Sequence, residues 1–467
     1  MSRTAARGRV LGAATAATLV LALTSLTAPS TAETAARAGA APGVPTGVDV
    51  DVRSGGAPAF AVSWSDPVEG APASYEVLVD GTVRARVAAD THTAVVEGLA
   101  KGATYKVAVR SVADGGRSKG VGESRVLTYG AATPQLAANP TNPLAGQEWG
   151  VYLGHAEQSY DPWLGAEGAT KAAIGEILLQ PKAKWFGRWL SDDEVAGKVH
   201  EYIDNQTGGD PDVMAQMTIF RMTPWEGDAC KALPTAAETR SYKRYLTNVA
   251  GAIGDTRMAV VLQPDGPFAR CAPGGSKAPS QLIAWSARLL SALPRTSVYI
   301  DMGSPGWFRD DITDAVRLLV DAGVADARGF ALSITHMDTT RQSVAFGSRI
   351  VAALAARGIT GTHFVVDTSD NGRGFSGSQY RKEVPPSEPI NWAPMCRNPD
   401  QRLCVALGIP PTTDVADPRW GLPDHVNRLA ARNVDAYLWI DRPWLYHQVA
   451  PFRVGFAVTL ADQNPFG

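Results

Sequence analysis

A chain of 467 residues with 45% hydrophobic content is longer than one ordinary domain and carries enough apolar material for a sizeable core, so at least two folded units are expected. Its 44 Lys and Arg against 46 Asp and Glu leave a formal net charge of −2, with no block of like charges. That balance argues against nucleic acid or an anionic membrane surface as a partner.

At the N-terminus Arg3, Arg7 and Arg9 precede an apolar stretch from Val10 to Thr27 and small residues around Ser30 and Ala32. Basic, then apolar, then small is the order of a cleaved secretory signal, expected over residues 1–32. A membrane anchor is the competing reading, but Ala and Thr make the stretch weakly apolar for the about 20 residues a span requires. The mature protein is therefore expected to be secreted, extracellular and free of the membrane. Residues 33–43, rich in Ala and Gly without a hydrophobic period, are expected to be a disordered spacer.

From 44 to 129, short period-two runs (Val48 to Val52, Phe60 to Trp64, Tyr75 to Val79, Tyr105 to Val109) are broken by Gly, Pro and Asp turns, which predicts a β-sandwich. Trp64 on an early strand, and Leu99 six residues before Tyr105 at a strand start, resemble the fibronectin type III module. In that fold such a tyrosine can bond to upstream backbone while its ring packs in the core. Another seven-stranded sandwich would give the same pattern, and either implies a spacer or a weak carbohydrate or partner contact.

Residues 130–141, with Pro134 and Pro140, read as a linker. From 142 to 467, apolar runs such as Met258 to Leu262, Ser297 to Ile300, Gly329 to Ile334 and Thr362 to Val366 alternate with amphipathic stretches, among them Thr239 to Gly254, Pro279 to Ala292, Arg309 to Ala322 and Thr340 to Arg357. Buried strands alternating with helices predict a parallel sheet and a single α/β barrel, with its chemistry at the C-terminal strand ends. The four cysteines match no zinc spacing, and an exported chain favours disulfides. Four cysteines allow three connectivities; the pairing read here is Cys230 to Cys271 and Cys396 to Cys404. The seven histidines are scattered and Gly372-Arg373-Gly374 lacks the context of a phosphate loop, so neither metal nor cofactor is expected. No obligate partner is indicated, and a monomer is expected.

Several strand ends finish in acids and aromatics: Gln263-Pro264-Asp265, the segment from Tyr299 through Asp301 and Ser304 to Trp307, and Asp367-Thr368-Ser369-Asp370-Asn371-Gly372. An aromatic ring stacks on the apolar face of a sugar while carboxylates handle hydroxyls and the glycosidic oxygen. Together with Asn142 to Gly146, Gly227 to Cys230, Leu407 to Thr413, Asp435 to Ile440 and Asn464 to Phe466, these motifs in order resemble glycoside hydrolase family 6, which includes cellobiohydrolases and endoglucanases.

The resemblance implies a distorted (β/α) barrel, a β-glucan polysaccharide as substrate, and cleavage of β-1,4 bonds with inversion. It assigns Asp265 as general acid and Asp228 as the neighbouring carboxylate, although the family places that Asp directly before Cys and Ala229 intervenes here. Asp301 falls at a supporting acid. Trp307, Trp392 and Trp149 fall at or near sugar-stacking positions, though core packing explains any single Trp equally well. A turn aspartate would look like Asp265, and a solvated loop acid like Asp228.

The pattern breaks at the last strand, Trp439-Ile440-Asp441-Arg442-Pro443-Trp444-Leu445-Tyr446-His447, where Asp441 stands at the family's lysine, Leu445 at its glutamate and His447 at the aspartate often proposed as base. Ser304 and His336 also mark departures near the scissile-bond subsite. His447, Asp441 or a water relay to Asp228 could serve as base; His447 could equally be a surface or packing residue. The short loop from Pro443 to Pro451 implies an open cleft and endo-type cutting. The competing reading is a non-catalytic carbohydrate-binding or scaffolding barrel.

Overall fold

A computed structural model describes residues 42–53, 59–100, 104–113, 116–118, 125–128, 132–134, 141–308, 311–446 and 449–466. The expected signal, nearly all of the spacer, much of the linker and His447 lie outside the described residues.

The first folded unit is two antiparallel sheets. Strands β1 (Thr46–Arg53), β2 (Ala59–Ser65) and β5 (Thr93–Glu97) form one; β3 (Ser74–Val79), β4 (Thr82–Ala88), β6 (Thr104–Ala113) and β7 (Gly116–Arg117) form the other, with β8 (Arg125–Thr128) also paired to β6. Period-two alternation puts Val48, Phe60, Val62, Trp64, Tyr75, Val77, Val107 and Val109 into one core. The Trp64 and Tyr75 rings meet edge to face at 5.3 Å. The Tyr105 hydroxyl accepts the Ala100 N–H at 2.7 Å, the upstream backbone bond anticipated for that corner.

A short antiparallel pair, β9 (Ala132–Pro134) with β10 (Glu148–Gly150), leads into the second unit. There β11 (Lys184–Gly187), β12 (Ala215–Phe220), β13 (Met258–Leu262), β14 (Thr296–Asp301), β15 (Gly329–Leu332), β16 (His363–Asp367) and β17 (Val434–Leu438) lie parallel in sequence order. Each crossover carries a helix: Val195–Thr207, Ala236–Ile253, Ala278–Ser291, Ile312–Asp321, Thr340–Ala355 and Asp424–Asn433. Capping boxes at Thr235 with Glu238 and at Thr339 with Gln342 start two of them by satisfying N-terminal N–H groups. Among the described residues no helix is long and apolar enough to cross a membrane.

Both faces of this sheet are buried, which is why its strands read as continuous apolar runs rather than alternating ones. Val260, Leu262, Val298, Ile300, Phe330 and Val366 pack toward the helices. The intervening Ala259, Val261, Tyr299, Ala331, Val365 and Leu438 fill the interior of the curled sheet. The sheet ends approach each other where Ala183 donates to the Trp439 carbonyl at 3.0 Å and Trp185 Nε1 to the Ile440 carbonyl at 2.6 Å. At the opposite, N-terminal end, Asp435 accepts the Tyr299 hydroxyl and Arg328 Nε, both at 2.7 Å.

Trp149 belongs to that interior. Its side chain is wholly buried and Nε1 donates to the Leu144 carbonyl at 2.9 Å, so the sugar-stacking role entertained from sequence is corrected to core packing.

Candidate active site

Loops from the C-terminal ends of the strands enclose a cleft of about 610 Å³. Trp189 reaches it from beyond β11, Trp225 and Glu226 from beyond β12, Asp265 from beyond β13, Ser304 and Trp307 from beyond β14, His336 from beyond β15, and Asp441 with Arg442 from beyond β17.

The turn after β13 is built to aim Asp265. Gln263 and Asp265 flank Pro264 with φ of 56° and 63°, left-handed backbone that costs a non-glycine residue about 1 kcal/mol or more. Compensating bonds hold it there. Asp265 N–H donates to Asp301 Oδ2 at 2.9 Å, and Gln263 Oε1 accepts the Met222 N–H at 3.0 Å from the neighbouring loop. Burial, and then the charge of Glu226, push the Asp265 carboxyl up to about 7.

Glu226 opens the short helix Glu226–Cys230, and Gly266–Cys271 follows Asp265; the disulfide Cys230–Cys271 ties the two together. The second bridge is Cys396–Cys404, and both pairings are those read from the sequence. Asp228, assigned from sequence as the carboxylate beside the acid, is corrected: it is 71% exposed, pairs with Lys231 at 2.9 Å, and is absent from the cleft wall. Two residues along this tight turn is enough to rotate its side chain outward. Its charge reaches the site only by helping burial to raise Glu226.

Asp301, read from the sequence as a supporting acid, lies buried beneath the site and off the cleft wall. Its oxygens accept the backbone N–H of Asp265 and of Gly303, at 2.9 and 3.0 Å, so it fixes the acid's loop from below. Burial, with the charge of Asp265 beside it, holds Asp301 well above the usual carboxylate range.

Gly303 has a φ of 59°, and a Cβ there would come within 2.2 Å of the Trp307 ring; glycine is what lets Trp307 lie against the loop. Trp307 meets Phe268 edge to face at 5.0 Å and His336 at 5.3 Å. Nδ1 of His336 lies 2.6 Å from the Ile334 carbonyl, which orients the ring. Ser304 lies buried in the cleft wall, and its Oγ finds no hydrogen-bond partner among the described residues. Trp392 and Trp189, 53% and 57% exposed, both line the cleft.

Beyond β17, Asp441 is buried among carboxylates. Its N–H and that of Ile440 donate to Asp367 at 2.9 and 3.1 Å. Burial, then the Asp367 charge, raises Asp441 to about 7, and burial with Asp441 and Asp367 alongside holds Asp370 well above the usual carboxylate range. Three acids in this volume cannot all ionise, so they share protons as a unit. Arg442 crosses the Trp185 ring at 5.4 Å. Among the described residues no cluster of His, Cys, Asp or Glu is arranged to hold a metal ion.

The sequence reading missed Glu226, Trp185, Trp189 and Trp225. Trp185 and Trp189 flank the end of the first parallel strand, and that strand-end position was the available signal. Glu226 had none beyond proximity to Asp228.

A family model described as glycosyl hydrolases family 6 matches residues 152–443, and one described as fibronectin type III domain matches residues 43–127. Endoglucanase 1 of Streptomyces halstedii is 30% identical over 262 residues, 54% of this chain and 77% of that protein. Endoglucanase A of Cellulomonas fimi is 30% identical over 231 residues, and there the match spans 48% of the relative's length. Among solved structures, the endoglucanase Cel6 from Mycobacterium tuberculosis, in complex with methyl-cellobiosyl-4-deoxy-4-thio-β-D-cellobioside, is 26% identical with a TM-score of 0.53. That alignment covers 69% of this chain and 99% of the other.

Proposed function

The chain belongs to glycosyl hydrolases family 6, and from that premise we propose that it cleaves the β-1,4-glucosidic bonds of cellulose or a related β-glucan, with inversion and by cutting within chains. The observation that carries the reading is Asp265, a carboxyl raised to about 7 in a tryptophan-walled cleft. A group so poised still holds its proton near neutrality and can deliver it to the departing glycosidic oxygen. That the relatives are named endoglucanases supports the same bond class.

Asp441 is the base of this reading. It enters the same cleft from β17, with three strands between it and the β13 that carries Asp265. Inversion needs about 6.5–9.5 Å between acid and base to admit the attacking water, and entry from well-separated strands supports such a gap. The proton Asp441 takes from water is shared with Asp370 and Asp367 behind it. Exposed Trp189 and Trp392 support an open cleft and hence internal cutting. The two disulfides support action in an oxidising extracellular setting.

The test is reducing-sugar release from soluble β-1,4-glucan, with the anomeric configuration of the first product followed by NMR. Wild type turns over to the α-anomer, Asp265→Asn loses about a hundredfold or more, and Asp441→Asn falls comparably while His447→Ala does not. Glucan binding without turnover in the wild type would replace the hydrolase with a carbohydrate-binding barrel.

A further inference from the structure

A second chamber of about 470 Å³ adjoins the cleft beside the seam where the ends of the curled sheet meet. It shares Trp185, Trp189, Asp441 and Arg442 with the cleft, so a chain lying on those tryptophans reaches both spaces. Nothing in the mechanism above uses its remaining walls.

Its charge is unbalanced. Lys182, Lys184 and Arg442 converge on it, and the carboxylate among them is Glu157. Glu157 Oε1 accepts Ser159 Oγ at 2.9 Å and Ser159 N–H at 3.4 Å. At the mouth Lys198 and Glu201 pair at 2.7 Å and cancel. Asp441, at the border with the cleft, shares protons with the acids behind it and offsets at most part of Arg442.

The cations are held in place rather than free to swing. Lys182 Nζ donates to the Ile177 and Leu178 carbonyls at 2.7 and 3.1 Å, and Lys184 Nζ to the Ala156 carbonyl at 2.9 Å. Lys184 also stands 5.0 Å from the centre of the Tyr152 ring. Burial depresses both ammonium groups against the opposing charge of Glu157, with Lys184 adding to the effect at Lys182 and Arg442 at Lys184. A partly desolvated excess of positive charge beside sugar-stacking rings is complementary to a saccharide that is itself anionic.

We propose that this chamber is a subsite for an acidic sugar, and that the favoured substrate is a β-glucan carrying carboxylate groups rather than a wholly neutral one. The proposal rests on the hydrolase reading for its catalytic readout. The carboxylate of a uronate unit meets Lys184 and Arg442 while the ring lies against Trp185 or Trp189.

The experiment compares initial rates on a β-1,4-glucan with part of its C6 alcohols oxidised to carboxylates against rates on the unoxidised parent. The expected kcat/KM ratio favours the oxidised polymer by about tenfold at low ionic strength and shrinks as salt screens the charges. Lys184→Gln lowers that ratio and Glu157→Gln raises it; opposite signs from two neighbouring neutral substitutions cannot come from misfolding. A ratio at or below one, or a ratio that neither variant moves, overturns the proposal. If neither polymer is cut, the hydrolase reading is what fails. Calorimetric titration of a cello-oligosaccharide ending in glucuronate, against its neutral counterpart, then decides the chamber by itself, and equal affinities reject it.

Discussion

Glu226 stands close enough to Asp265 for its charge to add to the burial that raises the Asp265 carboxyl to about 7. As general acid Asp265 works protonated, so activity falls as pH rises through that value. Glu226→Gln removes the repelling charge, lowers the Asp265 pKa and moves the alkaline limb of the kcat/KM profile to lower pH. A loss of roughly threefold at pH 7.5 is expected, against no change for exposed Asp228→Asn. If Asp228→Asn moves the limb and Glu226→Gln does not, the assignment of the neighbouring carboxylate is reversed.

The disulfide between Cys230 and Cys271 fastens the Glu226 turn to the loop that follows Asp265. Replacing both cysteines with serine releases that clamp. Global stability should drop by about 2–4 kcal/mol in chemical denaturation, and the alkaline limb should move in the same direction as in Glu226→Gln. Removing Cys396–Cys404 instead should leave the limb in place, since that bridge closes a different loop.

Gly303→Ala places a methyl group where the Trp307 ring now lies, and does so on left-handed backbone. The ring must swing away from the cleft floor. Weaker substrate binding is expected, with KM rising about tenfold or more and a thermal stability loss of about 1–2 kcal/mol. Trp307→Ala should raise KM without the backbone penalty, and combining the two should add little in KM.

Two tryptophans separate packing from binding. Trp149→Ala opens a void inside the curled sheet and should cost about 3–5 kcal/mol of stability. Trp189→Ala, at an exposed ring on the cleft, should leave the melting temperature within a degree or two and weaken glucan affinity by about 1–2 kcal/mol. Equal melting temperatures for both variants would contradict the placement of Trp149.

The sandwich and the strand and helix alternation were legible in the sequence because each rests on local order: period-two runs, and apolar strands bounded by amphipathic helices. The disulfide pairing was one of three possible connectivities, and Asp265 was singled out by the family resemblance rather than by any local pattern. Which of Glu226 and Asp228 faces the acid was not legible, since the two lie on one turn and its rotation is set by the disulfide and by packing against the next loop. Trp149 and Trp189 carry the same side chain to opposite fates because only the curl of the sheet decides which strand ends enclose a core and which enclose a cleft. The shared protons of Asp441, Asp367 and Asp370, and the meeting of Lys182, Lys184 and Glu157, depend on residues far apart in the chain. Mutual burial and charge create those properties, and they exist only once the fold has brought the groups together.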